Sequence, residues 1–257
     1  MKKSKEIKIT PKKSEQKTNP YLKQTNDSLG RDRHMKHIVV DLEMNNIEKC
    51  YKEERSLCNM EIIEIGAVVL DEEYSEVGSF KTFVKPEYNK EIDKKITKIT
   101  DITTEMVSTA PCFEDALKSF LSWCINFHDD ICIYQWSESD LEQILKEMHL
   151  KGTLLSLKEQ SLLNGWYDFQ KEFGEKLNLT NAISLKNAVM YAGIEFNGKE
   201  HDALCDARNT AALLRIVRDS KLFKAAFEHL IEILTPKPLS TSLGDLFNFS
   251  ELINVTI

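Results

Sequence analysis

The stretch His37-Ile-Val-Val-Asp-Leu-Glu-Met44 constrains the chain more than any other. Its apolar, β-branched run reads as a buried strand, and it leads directly into two acids one residue apart. In an extended strand, residues i and i+2 share a face, roughly 6–7 Å apart at ~3.3 Å per residue. Asp41 and Glu43 therefore stand side by side at the strand's end. Two carboxylates so close repel each other unless a cation lies between them. Hard oxygen ligands of this kind suit Mg2+ or Mn2+. The same spacing also describes a strand that simply ends in two solvated acids, and only residues further along can separate the two readings.

The pattern that follows is a mixed one. Residues 44–59 are polar and read as a loop. A second strand is expected over 61–70 and a third over 77–84, which makes an antiparallel meander. Ile92, Ile96 and Ile99 fit a short helical turn, and Thr103-Thr104 opens another. A stronger helix follows Pro111 over 113–127, then a short strand over 131–135. The next helix, about 138–149, turns Leu141, Ile144, Leu145 and Met148 inward. Residues 150–182 are harder to read, although Trp166, Tyr167, Phe169 and Phe173 suggest a helix that packs aromatics. Ser184 caps a helix ending near Gly193, and Asp202 caps one running to Arg218. A last amphipathic helix ends before Pro236. Three strands, helix, strand, helix, then helices describe an α/β layer fold.

At 257 residues the chain has room for one sizeable domain with tails. We expect a basic, disordered arm over 1–36, a folded domain over 37–235 and a tail over 236–257. The arm holds eleven Lys/Arg against four acids, although the whole chain carries a net charge of −7. The arm either touches nucleic acid through its lysines or is solvated charge. The acidic remainder argues against a tight grip on long phosphate backbones. Six cysteines without a Cys-x-x-Cys pair or zinc spacing read as reduced thiols. No apolar run reaches membrane-span length, and no apolar segment follows the N-terminal lysines. A cytoplasmic protein without a membrane partner is expected.

Two further motifs carry acids. Asp140 follows the fourth strand in Trp136-Ser-Glu-Ser-Asp140. It can complete a capping box with Ser137, or face a crevice at the C-terminal end of the sheet. In His201-Asp-Ala-Leu-Cys-Asp206, with Asp202 as cap, His201 lies in the loop before the helix and Asp206 on its first turns. An imidazole and a carboxylate so placed can converge on one point. An acid near a helix N-terminus is also favourable with the dipole alone.

Asp41-x-Glu43, Asp140 and His201-x4-Asp206 together resemble the four acids and histidine of the DEDDh group of DnaQ-like 3′→5′ exonucleases. Glu61-Ile-Ile-Glu-Ile, Val84-x-Pro86, Ile96-Thr-x-Ile-Thr100, the Trp before the Asp140 motif and Ala207-x-Asn-Thr-Ala211 extend the resemblance to the enhancer-of-RNA-interference exonucleases and their KapD-like relatives. The match covers roughly residues 37–220. Lys98 stands where the family commonly has Gly, and Cys205 where many members have Asp.

The resemblance implies an RNase H-like fold, a mixed central sheet with helices on both faces. It also implies two divalent cations, Mg2+ or Mn2+, and hydrolysis from a free 3′ end. By resemblance Asp41 bridges both ions, Glu43 and Asp206 complete one site, and Asp140 serves the other mainly through water. His201 acts as general base, for which an imidazole is suited near neutral pH. Leu42 and Met44 would flank the terminal nucleotide, although Met44 reads equally as a core gap-filler. The branch favours RNA over DNA. A DNA exonuclease, or a binding module without catalysis, remains the alternative reading.

Overall fold

The computed structural model describes residues 34–234. Its strands are β1 (Met35–Asn46), β2 (Met60–Leu70), β3 (Glu76–Phe83), β4 (Asp130–Gln135) and β5 (Tyr167–Asp168). Helices α1 (Lys52–Leu57), α2 (Lys94–Thr100), α3 (Thr104–Ser108), α4 (Phe113–Ile125) and α5 (Ser139–Lys151) come first in the chain. They are followed by α6 (Leu157–Leu162), α7 (Phe169–Lys176), α8 (Leu185–Tyr191), α9 (Ala203–Arg218) and α10 (Ser220–Leu234). The strand order is β3-β2-β1-β4-β5. β1 pairs antiparallel with β2 and parallel with β4, so the expected meander and mixed sheet are both present.

The alternation of β1 divides the core in two. Ile38, Val40 and Leu42 face α4 and α5, packing with Phe113, Phe120 and Ile144. Val39 faces the opposite layer, where Phe169, Phe173, Leu214 and Phe227 belong to α7, α9 and α10. Each large apolar side chain so buried contributes roughly 1.5–3 kcal/mol. These two clusters hold helices on both faces of the sheet. A third, smaller group of Ile63, Ile92, Ile102 and Val107 anchors the segment around α2 and α3 beside the end of β2.

The structure departs from the sequence expectations where polar groups are buried in pairs. β1 starts at Met35 and runs through Asn46, into what reads as an arm and a loop. Its polar end is held by hydrogen bonds. Asn45 donates to the Glu91 carbonyl (3.1 Å), and Asn46 donates to Asp93 (2.7 Å). The supposed loop also contains α1, which buries no side chain. On α5, Leu145 is 47% exposed rather than inward. Gln143 and Glu147 take the buried positions, because Glu147 accepts from the Ile62 amide (2.8 Å) and pairs with Lys151 (2.8 Å). On α2, Ile99 is exposed and Thr100 is buried. The aromatic segment splits into the two-residue β5 and α7, with Phe169 and Phe173 buried as expected. The 236–257 tail, and the arm up to residue 33, lie outside the described residues.

One glycine sets the distance between α9 and the sheet. Gly66 of β2 lies opposite Asp41 of β1. A Cβ added at Gly66 would stand 2.2 Å from the Ala203 carbonyl carbon and 2.3 Å from the Leu204 nitrogen. Both are backbone atoms of the first turn of α9 and cannot swing away. Gly66→Ala is expected to lower unfolding stability by about 1–3 kcal/mol, the range for an overpacked core. Urea denaturation would measure it, and an unchanged midpoint would contradict this account of the contact.

Candidate active site

The site is assembled where three N-terminal or C-terminal ends meet. β1 presents Asp41 and Glu43 on the face that carries α9, opposite Gly66 and Glu64. A register shift between Glu43 and Met44 interrupts the ladder, which resumes from Met44 to Asn46, as at bulges where a strand re-aims a side chain. Leu42 alternates to the other face and is a core residue, 5% exposed. Met44 is half-buried against the same cluster.

The first turn of α9 is pinned by acids that satisfy its free amides. Asp202 caps it, accepting from the Cys205 amide at 3.0 Å. Glu64, buried in β2, accepts from the Ala203 amide at 2.9 Å. Lys81 of β3 lies 3.0 Å from Glu64 and 2.6 Å from Asp202, which offsets part of their charge. The loop before α9 is closed by Asn209, almost wholly buried. Its side chain accepts from the Asn197 amide (2.8 Å) and donates to the Asn197 carbonyl (2.9 Å). Glu64, Lys81 and Asn209 were not singled out from sequence. Glu64 and Asn209 stand within the motifs, but only the fold reveals their partners.

His201 has a left-handed backbone, φ 63°, and an exposed side chain. Its amide donates to Asp206 Oδ2 at 3.0 Å. Glu43, His201 and Asp206 each bring a ligand atom within 4.8 Å of the other two. Asp140 is buried in the first turn of α5. The expected capping box with Ser137 is not formed. The Ser137 and Ser139 hydroxyls pair with each other at 2.6 Å, and Gln135 accepts from the Leu141 amide at 2.9 Å. With capping handled by Gln135, the Asp140 carboxyl instead accepts a backbone hydrogen bond from Leu42 of β1.

Burial raises the pKa of every one of these acids, and mutual repulsion adds to it. Glu43 is pushed up to about 8 by burial, then by Asp206, Glu64 and Asp140. Asp140 rises to about 7 through burial, against the pull of a backbone hydrogen bond from Leu42. Asp206 rises to about 7 through burial, offset by the His201 amide. Asp41 is raised well above the usual carboxylate range by burial and then by Asp140, Asp206 and Glu43.

The donor set fits a hard cation. All four acids offer oxygen, and Asp206 Oδ1 is buried without a hydrogen-bond partner among the described residues. A buried, unpaired carboxylate oxygen is unfavourable unless a cation or proton meets it.

Stability should respond to pH accordingly. In the unfolded chain these carboxyls ionise near pH 4, whereas the folded site keeps its protons to about pH 7–8. The folded state then binds more protons, so its advantage is complete below about pH 4 and is lost as pH rises through 7–8. In EDTA the melting temperature is expected to fall between pH 5 and pH 8. Added Mn2+ should raise it most at pH 8. A metal response that is the same at both pH values would contradict this picture of the cluster.

The chain is similar to known proteins. The exonuclease family matches residues 38–214. The ERI1 exoribonuclease 2 of Danio rerio is 28% identical over 238 residues, covering 85% of this chain and 41% of that protein. This chain spans less than half the length of the curated relatives it matches. Among solved structures, the nuclease domain of 3′hExo, a DEDDh family member bound to rAMP, has a TM-score of 0.60 at 20% identity. That match covers 72% of this chain and 92% of the other. S. pombe Pop2p in its Mg2+ and Mn2+ bound form has a TM-score of 0.52 at 17% identity, covering 72% and 83%. The two structures share the RNase H-like fold. With its match running from the first strand to the last turns of α9, the chain belongs to the exonuclease family.

Proposed function

We propose that this protein is a metal-dependent 3′→5′ exonuclease that hydrolyses phosphodiester bonds at the free 3′ end of single-stranded RNA or short oligonucleotides. The observation that carries the reading is the meeting of Glu43, His201 and Asp206 within 4.8 Å around a buried, unpartnered carboxylate oxygen. Its relatives named as exoribonucleases support RNA as the substrate.

Two divalent cations, Mg2+ or Mn2+, when bound neutralise charge on the reacting phosphate and lower the pKa of water. Asp41 and Glu43 of β1, Asp140 of α5 and Asp206 of α9 are the residues that would hold them. Asp41 would give its carboxylate to the same group of ligands. Its raised pKa, driven by burial and the other acids, is what a cation would reverse.

The remaining chemistry belongs to the chain. Water attacks phosphorus as the bond to the 3′-oxygen of the shortened strand breaks, releasing a nucleoside 5′-monophosphate. His201 takes the proton from the attacking water and, through its exposed ring, passes it to solvent, while the departing 3′-oxygen takes a proton from solvent to become the new 3′-hydroxyl. The His201 amide holds Asp206 at the same time, so one residue serves the site through both backbone and side chain. Met44, at the rim of the core beyond the register shift, is proposed to meet the terminal nucleotide. Leu42 acts through its backbone, which bonds Asp140.

The exonuclease domain in this reading, placed at 37–235 from the sequence, takes in β1 from Met35. Among the described residues no helix is long and apolar enough to cross a membrane. The six cysteines are free thiols, which suits the reducing cytoplasm.

Digestion of a 5′-labelled 12-nucleotide RNA, and of the matching DNA, tests the proposal. With Mg2+ or Mn2+ a ladder should shorten from the 3′ end and vanish in EDTA. Asp41→Ala should lose about three orders of magnitude in kcat, since the metal contribution is worth several kcal/mol. His201→Ala should lose about 10²–10⁴-fold, the usual share of a general base. The ratio of RNA to DNA rates ranks the two substrates. A folded protein that cuts neither strand with Mn2+ present would exclude the reading in favour of a binding module.

A further inference from the structure

Helix α2 is tied at both ends to the segments that carry the site. Its N-cap residue, Asp93, donates its amide to Asn45 (3.0 Å) and accepts from Asn46 (2.7 Å), two and three residues beyond Glu43. Its C-cap residue, Asp101, has a left-handed backbone and pairs with Lys199, two residues before His201. Seven residues at ~1.5 Å each make a helix of about 10 Å. α2 thus bridges the end of β1 and the His201 loop, and its sequence, Lys94-Lys-Ile-Thr-Lys-Ile-Thr100, contains three lysines and no acid.

These lysines, like Lys85, Lys90 and Lys221, stand outside the ion pairs of the described residues. Lys81, Lys118, Lys146, Lys186, Arg208 and Arg218 are all paired with carboxylates. Lys94, Lys95 and Lys98 are exposed and have no ion-pair partner among the described residues. Their ammonium groups are therefore left unneutralised on a chain whose net charge is −7. Lys94 and Lys98 stand one turn apart, on neighbouring positions of the helix surface. The inward side of α2 is taken by Ile96 and Thr100, which fixes the lysines to the outer side.

We propose that α2 is a phosphate rail for the substrate strand. Nucleotides upstream of the 3′-terminal one leave the acidic site along this helix, with their phosphates on Lys94, Lys95 and Lys98. This inference rests on the exonuclease reading above and extends it from the scissile bond to the path of the strand. It accounts for how an acidic protein retains a polyanion beside four carboxylates. The cations at the site serve the scissile phosphate, and the lysines of α2 serve those behind it. Contacts of this kind position a strand without reading its bases, so the rail would not distinguish sequences.

The test uses the full chain and a U12 RNA. Binding is measured by fluorescence anisotropy over a series of salt concentrations, in an Asp206→Asn background that leaves the RNA uncut. Lys94→Gln with Lys98→Gln should reduce the slope of log K against log[salt] by about 1.4, two phosphates at ~0.7 each for a single strand. Lys221→Gln on α10, equally exposed but distant, should leave the slope unchanged. In the cleaving enzyme, the double variant should lower kcat/KM about tenfold for U12. It should change that for the dinucleotide pUpU less than twofold, because a dinucleotide does not reach beyond the site. An unchanged slope would overturn the proposal, as would an equal loss on both substrates. Should the unaltered protein cut neither RNA, the exonuclease reading fails, while the salt slope still decides whether α2 binds the strand.

Discussion

The contact between Gly66 and the first turn of α9 is the one on which the site depends. It lets backbone meet backbone at a distance no side chain would allow. Asp206 lies one turn into that helix and His201 two residues before it. Their approach to Glu43 follows from how closely the helix docks. The docking is held electrostatically as well, by Glu64 on the Ala203 amide and by Lys81 between Glu64 and Asp202. Geometry at the site is thus fixed from β2 and β3, strands that supply none of the proposed metal ligands.

That rigid docking sustains a strongly unfavourable charge arrangement. Four carboxyls are brought together under partial or full burial, and all are pushed towards the protonated form. Alone they would drive the strands and helices apart. The two apolar clusters on either face of the sheet provide the opposing free energy. A functional site that is locally unfavourable and globally tolerated is the usual compromise between activity and stability. It also suits the cluster to small, hard cations, since a multivalent ion offsets much negative charge in little space.

The parts of this arrangement that were legible in the sequence are those with a local signal. The apolar run before Asp41 marked the central strand, and Asp202 marked the start of α9, three residues before the amide it caps. The parts that were not legible rest on partners distant in the chain. Leu145 looked like a core residue and is exposed, because Glu147 is drawn inward by Lys151 and the Ile62 amide. Asn45 and Asn46 looked like a loop and complete β1, because their side chains bond residues more than forty positions away. Ser137 looked like a cap for Asp140, yet Gln135 fills that role from the strand before it.

By itself, the sequence determined the elements and the chemistry they carry. Periodicity sets strands and helices, and the order of acids and histidine gives the motif its resemblance to a nuclease family. What the tertiary structure alone decided was convergence and its consequences. Which side chain pairs with which, how far each pKa rises, and which lysines are left unneutralised all depend on distances between segments far apart in the chain. Such distances are not encoded in any local pattern. They follow from how closely two layers can pack, and in this protein from one position where a side chain is missing.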